Sequence, residues 1–431
     1  MSSNKRLSRW LMAVLTAVIA LLMLAASGFA AGAQFQVLGY LGQTAIDANG
    51  PTYGLVVDKV GNLYGQSYGG GTTGGGTVYE FSPQPNGLWA DTILWDFCTA
   101  PYCYDGVYPS ANLIFDSAGN MYGTASYGGT GEYGVVFELT PGPGITWAQK
   151  VLYNFQNNGK DGVNPNDTLV LDSSGNLYGT CGTGGKYGYG IVFRLTPRKS
   201  GTWNEHILYS FKGNGDGNNP QGGVVLDAAG NVYGMTQNGG SSGFGNVFEL
   251  ENNGGKFTER VIHNFCASGS TICHDGAFPV SPLTIDAAGN LYGTSTIGGS
   301  SGLACDTRGC GTVFELSLQA NSKWKLTVLH NFQPGYDGIY PSSGLTWDAA
   351  GNLYGETSSG GGDNFGTIFE LTPGPSGKWK LNTLYYFTGT SDGSAPSGGL
   401  AFDSSGNLYG TSVGGAPWQY DPGATIFELT P

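Results

Sequence analysis

Short apolar runs alternating with polar positions recur along the chain, and clusters of Gly, Asn, Asp and Pro separate them. "GLVVD" leads to "NLYGQ", then "TVYEF", then "ILWDF". Each run is too short for a helix and rich in β-branched and aromatic residues, so each predicts a strand. The same order returns later as "TLVLD", "NLYGT", "IVFRL" and "ILYSF". Asp58, Asp116, Asp172, Asp227, Asp286, Asp348 and Asp403 each stand three residues before a Gly-Asn pair, at intervals of 58, 56, 55, 59, 62 and 55. A regular period of this length marks an array of supersecondary units. Asp-x-x-Gly-Asn predicts a tight hairpin between the first and second strands, with the Asp side chain bonding turn N–H groups and the Gly at positive φ. The Gly that follows Tyr in "NLYG" has no side chain, which predicts close approach of a neighbouring sheet.

Four strands per unit predict β-propeller blades. The ends of the pattern distinguish a closed ring from an open solenoid. "FQVLGYL" at Phe35 reads as a fourth strand, whereas the final "TIFELTP" is a third strand. The expected fold is therefore all-β: a seven-bladed propeller of four-stranded blades, closed by an N-terminal strand that completes the last blade. Closure removes the exposed sheet edges. Residues 34–431 are read as one such domain.

Composition agrees with this reading. The 431 residues include 76 Gly, 21 Phe, 25 Tyr and 9 Trp, with only 11% charged; disordered chains are poor in aromatics. The first 33 residues read as a signal peptide. Lys5, Arg6 and Arg9 precede an apolar run from Trp10 to Ala26, and Ala31-Gly32-Ala33 is a small-residue cleavage site before Gln34. An uncleaved membrane anchor is the competing reading. Cleavage removes three of the 18 Lys+Arg and none of the 31 Asp+Glu, so the mature chain carries 15 − 31 = −16. Such a chain is a poor partner for nucleic acid or anionic membranes. The expectation is a monomer, extracellular or periplasmic, with no membrane association after cleavage.

Seven cysteines suit an exported protein. Cys98/Cys103, Cys266/Cys273 and Cys305/Cys310 are close in sequence, which suggests three local disulfides; Cys181 is left over, near the end of a second strand. Zinc is the alternative, but no His is spaced to complete a site.

The multi-part motif "DxxGNLYGT…GG…GTVFELTP…W…LYxF", repeated from Phe35 to Pro431, resembles bacterial secreted tandem-repeat proteins of the GloVer type. The resemblance implies a secreted, propeller-like protein and assigns no activity. The cell-surface anchor of some members is not expected, because the motif runs to the last strand. Through the Asp-x-x-Gly-Asn turn alone the chain is also similar to streptogramin-lyase-like and NHL-type propellers.

In a propeller the four-to-one and two-to-three loops share one face. Here that face varies most, while the opposite face carries the regular Asp-x-x-Gly-Asn turns and the "LTPxxGxxW" connections with Trp147, Trp203 and Trp379. The variable face carries the cysteine pairs and, in its two-to-three loops, Tyr133, Tyr187, Phe244, Phe365 and Trp418. Loops on a rigid scaffold are the usual seat of binding. These aromatics are the candidate ligand contacts, for polysaccharide or for an extracellular protein partner; packing between blades is the alternative use of them. Asp-Gly-x-x-Pro at Asp105, Asp161, Asp216, Asp275, Asp337 and Asp392 offers either a ring of carboxylates for Ca²⁺ or a set of capped turns; no other cofactor is expected. Among four His, His263 and His330 replace strand aromatics such as Tyr153 and Tyr209, and His206 precedes a fourth strand. His274, beside Asp275, is the candidate general base. A carbohydrate-active or streptogramin-lyase-like enzyme and a structural surface component are thus the alternatives to a binding module.

Overall fold

The computed structural model describes residues 32–44, 46–51, 53–144, 146–267, 272–299, 305, 309–335, 337–414 and 423–431. The signal-peptide reading of the N-terminus and the candidate Trp418 lie outside them. The repeat folds into a seven-bladed β-propeller, all-β apart from 3₁₀ turns such as Pro101–Cys103. In the third blade the strands Val170–Leu171, Leu177–Cys181, Ile191–Pro197 and Trp203–Ser210 pair in chain order, all antiparallel. The N-terminal strand Gln34–Leu41 closes the ring by pairing antiparallel with Ala424–Thr430, from Gln34 opposite Thr430 to Leu41 opposite Ala424. Its register shifts between Val37 and Gly39. The third–fourth strand pairs elsewhere shift at the same point, for example between Val136 and Phe137 or between Ile368 and Phe369. The N-terminal strand thus occupies a fourth-strand position, bulge included.

The Asp of every Asp-x-x-Gly-Asn turn does more than hold its hairpin. In the third blade Asp172 Oδ1 accepts the N–H of Ser174 and of Asn176, each at 2.9 Å. Its Oδ2 accepts the Asn176 side chain at 2.7 Å and the Tyr178 hydroxyl at 3.2 Å. The same four bonds form at Asp58 and Asp403. Asp172→Ala leaves a half-buried tyrosine hydroxyl and turn donors without this partner. It is expected to cost about 2 kcal/mol, read as a lower urea midpoint.

The apolar side chains do not form one core. They form a separate cluster at each blade junction: Tyr64, Val78 and Phe97 of the first blade meet Leu113, Met121 and Phe137 of the second. Tyr178 and Phe211 of the third likewise meet Val232 and Phe248 of the fourth. The tryptophans that open fourth strands lie on the tyrosine of the preceding blade, as Trp147 on Tyr64 and Trp203 on Tyr122, each 6.4 Å between ring centroids.

The glycine after each of those tyrosines makes room for a ring of its own blade, and at Gly123 and Gly410 it also faces the adjoining blade, at Gln66 Nε2 and Glu356 Oε1. A Cβ on Gly355 would meet Phe369 Cζ at 2.6 Å and Leu345 Cδ2 at 3.0 Å. Phe369 is the cross-strand partner within the same blade. At Gly355 the vacant position therefore admits the blade's own third-strand ring, not an adjoining sheet. Gly355→Ala is expected to cost about 2 kcal/mol by overpacking. Gly355→Ala with Phe369→Leu should recover part of that loss in thermal melts; equal, additive losses would contradict the contact.

Cys181 is buried and free, and its burial pushes the thiol well above its ordinary range. Equivalent positions in other blades hold hydroxyl pairs, Ser67 with Thr77 at 2.7 Å and Thr357 with Thr367 at 2.8 Å. Cys181 instead faces Ile191, just as Ala125 faces Val135. Both members of a polar pair have been replaced together, which leaves no unsatisfied donor. The thiol is a packing group.

Candidate functional site

Among the described residues, the variable face is built by interlocking two loops at successive blade junctions. The N–H of the residue before the proline of one blade donates to a carbonyl in the two-to-three loop of the blade before it. Tyr108 bonds Gly75 O at 2.8 Å, Asn164 bonds Tyr133 O at 3.0 Å, Asn219 bonds Tyr189 O at 3.1 Å, and Ala395 bonds Phe365 O at 2.8 Å. These four pre-proline residues hold left-handed backbone, with φ of 58°, 56°, 53° and 46°. Proline normally drives the preceding residue to extended backbone. The repeated departure shows a loop geometry imposed by its surroundings.

This alignment revises one candidate. Tyr189, not Tyr187, is the structural counterpart of Tyr133, Phe244 and Phe365, because it supplies the interlocking carbonyl. Tyr187 lies beside it, exposed, with Lys186 Nζ 5.1 Å from its ring. Tyr133 and Phe244 pack on junction clusters. Phe365 is partly exposed and covers Gly389, where a Cβ would meet its ring at 2.5 Å. The four candidate aromatics among the described residues therefore do not converge on one site.

The three cysteine pairs are disulfides on this face: Cys98–Cys103, Cys266–Cys273 and Cys305–Cys310. The Asp-Gly-x-x-Pro carboxylates turn outward to the ends of the fourth strands and do not ring the channel mouth. Asp161 accepts the Tyr153 hydroxyl at 3.0 Å and Gln156 N at 2.8 Å. Asp216 accepts Tyr209 at 2.8 Å and Lys212 N at 2.9 Å, and Asp392 accepts Tyr385 at 3.0 Å and Thr388 N at 2.8 Å. Asp105 accepts Trp95 Nε1 at 3.3 Å, and Asp337 stands 3.3 Å from His330 Nε2. A further copy escaped the motif: Asp47, in Asp-Ala-Asn-Gly-Pro, accepts Gln43 N at 3.1 Å and Ala48 N at 2.8 Å. Its glycine has moved two places, which hides it from a fixed pattern. Among the described residues no three His, Cys, Asp or Glu side chains gather where they could hold a metal ion.

Asp275 belongs to the same set. It accepts His263 Nε2 at 2.9 Å and Cys266 N at 3.0 Å. Burial pushes its carboxyl up, but these bonds outweigh burial and hold it below the usual range. His263 sits edge-on to Phe265 at 5.0 Å, as Tyr153 does to Phe155. His274 is exposed beside this pair and helps line a shallow groove of about 550 Å³ with His263 and Asn264. A carboxylate already bound by a strand-end partner and a main-chain N–H is committed to the loop.

Two features were not evident from the repeat. Tyr68, Tyr108 and Tyr127 meet on the loop face at the first two blades. The rings of Tyr68 and Tyr108 stack 4.4 Å apart at 7°, and Tyr127 meets Tyr108 edge-on at 6.0 Å. "PYCYDGVYP" at Pro101 held part of the signal, a local surplus of Tyr; the sixth blade repeats only its second half, as "YDGIYP" ending at Pro341. The second feature is the central channel. Its cavity, about 350 Å³, is lined from all seven blades, by residues such as Leu55, Asn112, Asp167, Gly222, Pro282, Ser343 and Gly399. Asp167, buried, accepts Gly222 N of the next blade at 2.7 Å and also bonds the Thr180 hydroxyl. Burial pushes its carboxyl up to about 6. Behind the wall, Glu356 makes the matching reach, accepting Gly399 N at 2.9 Å, and burial pushes it to about 7.

Among solved structures, the chain is similar to that of a candidate 6-phosphogluconolactonase from Bacteroides uniformis ATCC 8492. The TM-score is 0.50 at 12% identity, over 80% of this chain and 86% of that one. At that identity the likeness concerns the fold. No curated protein sequence matches the chain. The model of the Gloeobacter/Verrucomicrobia repeat matches residues 145–346 and 304–431, together more than half of the sequence. With its seven-bladed ring and recurring motif, the chain belongs to the Gloeobacter/Verrucomicrobia repeat family.

Proposed function

We propose that the protein is an exported binding module whose loop face recognises polysaccharide. One observation carries this reading: the distribution of exposed aromatic rings. Among the described residues, the exposed aromatic side chains are Tyr68, Tyr102, Tyr104, Tyr127, Tyr187, Tyr189, Phe365 and Tyr386. All belong to two-to-three loops, four-to-one loops or the strand ends that enter them. The turn face exposes aliphatic Val60, Leu88 and Leu318 instead. Rings held by a rigid scaffold lose little entropy on contact and match the apolar faces of sugars. Three disulfides on the same face support an oxidising compartment, extracellular or periplasmic, and further limit loop motion.

The lactonase-like neighbour does not redirect the reading. A phosphorylated sugar calls for cationic side chains, and the residues lining the channel cavity include no Lys or Arg. The test is retention of the protein from Gln34 on a panel of insoluble and soluble polysaccharides at physiological salt. Saturable binding to at least one is expected. A folded protein, verified by its thermal melt, that binds none of them would remove this reading and direct the search to protein partners.

A further inference from the structure

We propose that Tyr68, Tyr108 and Tyr127 form a stacking subsite for an uncharged pyranose unit of a polysaccharide. The proposal rests on the reading above and specifies both the place on the face and the chemical class.

The three rings are a built surface. Tyr108 is fixed by its left-handed backbone, by its N–H bond to Gly75 O, and by Pro109 behind it. Tyr68 lies flat on it, and Asn164 Nδ2 donates to the Tyr127 hydroxyl at 3.2 Å. Tyr68 and Tyr127 remain 45% and 43% exposed, so ring surface stays available. None of the three takes part in the junction clusters that hold the blades. The repeat does not demand Tyr68, whose counterparts are Ser126, Gly182, Gln237, Thr296, Ser358 and Val413. The pre-proline position of Tyr108 is aromatic again at Phe278 and Tyr340, but neither of those has a tyrosine at the Tyr68 position beside it. A hydrophobic ring pair kept in water without a packing duty is the mark of a contact surface.

The neighbouring loop extends it. Gly129 N, two residues past Tyr127, donates to Cys103 O at 2.9 Å. This docks the Cys98–Cys103 loop on the same sector, bringing Tyr102 and Tyr104, 5.6 Å apart and both exposed. Charge decides the class of sugar. From Val60 to Gln149 the sequence contains no Lys or Arg, while Asp96, Asp105 and Glu132 are present. Uronates and sulfated chains would meet only like charge there. A neutral pyranose, with hydroxyls for Asn164 and the tyrosine hydroxyls and a C–H face for the rings, meets no such cost.

The experiment is affinity electrophoresis and calorimetry with neutral glucans, xylan and mannan beside polygalacturonate. The proteins are wild type, Tyr68→Ala, Tyr127→Ala, Tyr68→Phe, Phe365→Ala on a distant sector and Leu318→Ala on the opposite face. The expected result is binding of a neutral polymer, weakened roughly tenfold by Tyr68→Ala or Tyr127→Ala. Tyr68→Phe keeps the stacking ring and should bind more tightly than Tyr68→Ala, the Leu318→Ala control on the opposite face should bind as wild type, and thermal melts should be unchanged. Neutral-polymer binding that survives both alanine changes but is lost in Phe365→Ala overturns the subsite and leaves polysaccharide recognition standing. Preference for polygalacturonate overturns the uncharged class. Absence of binding to every polymer by folded wild type overturns the reading and the subsite with it.

Discussion

A chain lacking Gln34–Leu41 is expected to lose the single cooperative transition of the ring and to melt far below the chain that retains the strand. The strand completes the last blade through seven paired positions with Ala424–Thr430. It also fills the junction before it. Phe35 stacks on Tyr385 of the sixth blade at 3.7 Å and meets Phe387 edge-on at 5.7 Å. On the other side Leu41, fully buried, joins the cluster shared with Tyr79 and Phe81 of the first blade. Two junctions therefore fail at once. Burial of its few large side chains and its ladder bonds together contribute on the order of 5–10 kcal/mol. That equals much of the stability of a typical domain. Scanning calorimetry measures it. A peptide with the sequence QFQVLGYL should restore part of the transition when added in trans, as an extended peptide adds to an open sheet edge. An unchanged melt on removal of the strand would show that the ring is not closed this way.

The protein is also expected to lose stability as pH rises from about 4 to 7.5, a decline to which Glu205, pushed by burial up to about 8, also contributes, and Glu356→Gln should remove the Glu356 share of it. Burial raises Glu356 from an ordinary 4.5 to about 7 and Asp167 from 3.8 to about 6. The folded state thus holds these protons more tightly than the unfolded chain does. Their stabilising effect is complete below about pH 4. It is lost through the window between ordinary and raised values, and above pH 7 both sites are buried anions. The shift at Glu356 corresponds to roughly 3 kcal/mol across that window. Glu356→Gln keeps an acceptor for Gly399 N without the charge. Its melting temperature should exceed that of wild type at pH 8 and fall to or below it at pH 4.5. Parallel pH profiles for the two proteins would mean that Glu356 does not ionise in this range.

These two carboxyls also mark the limit of what the residues disclose before folding. The blade was legible because its parts repeat. Asp-x-x-Gly-Asn, the Tyr-Gly pair and the "TVFEL" run each impose a local geometry, and the spacing made their sum a ring. Its closure could be read from the mismatch between Phe35 and the last strand. The contact over Gly355 could not, because a missing side chain does not say which neighbour fills its place. Glu356 stands where other blades carry Thr, Gln or Met, and only the arrangement of adjacent blades shows that it caps Gly399. The loop face on which the proposal rests could be told apart in the sequence, but the residues now named on it could not. Phe365 and Tyr133 were conspicuous for recurring, and recurrence selects for scaffold. Tyr68 and Tyr127 have no aromatic counterpart in other blades, whereas Tyr108 recurs as Phe278 and Tyr340, and the stacking of Tyr68 on Tyr108 joins positions in different blades.

The pairing of Gln34 with Thr430 gives the ring no topological beginning. Its apolar clusters are distributed one to a junction, so no blade acts as a cap and no junction depends on where the chain happens to be cut. A short linker between those two ends, with new termini opened in any exposed Asp-x-x-Gly-Asn turn, would keep all the junctions and the loop face in register. The expectation is a circularly permutable fold, in which each sector of the loop face could be placed at any distance along the chain from a chosen terminus.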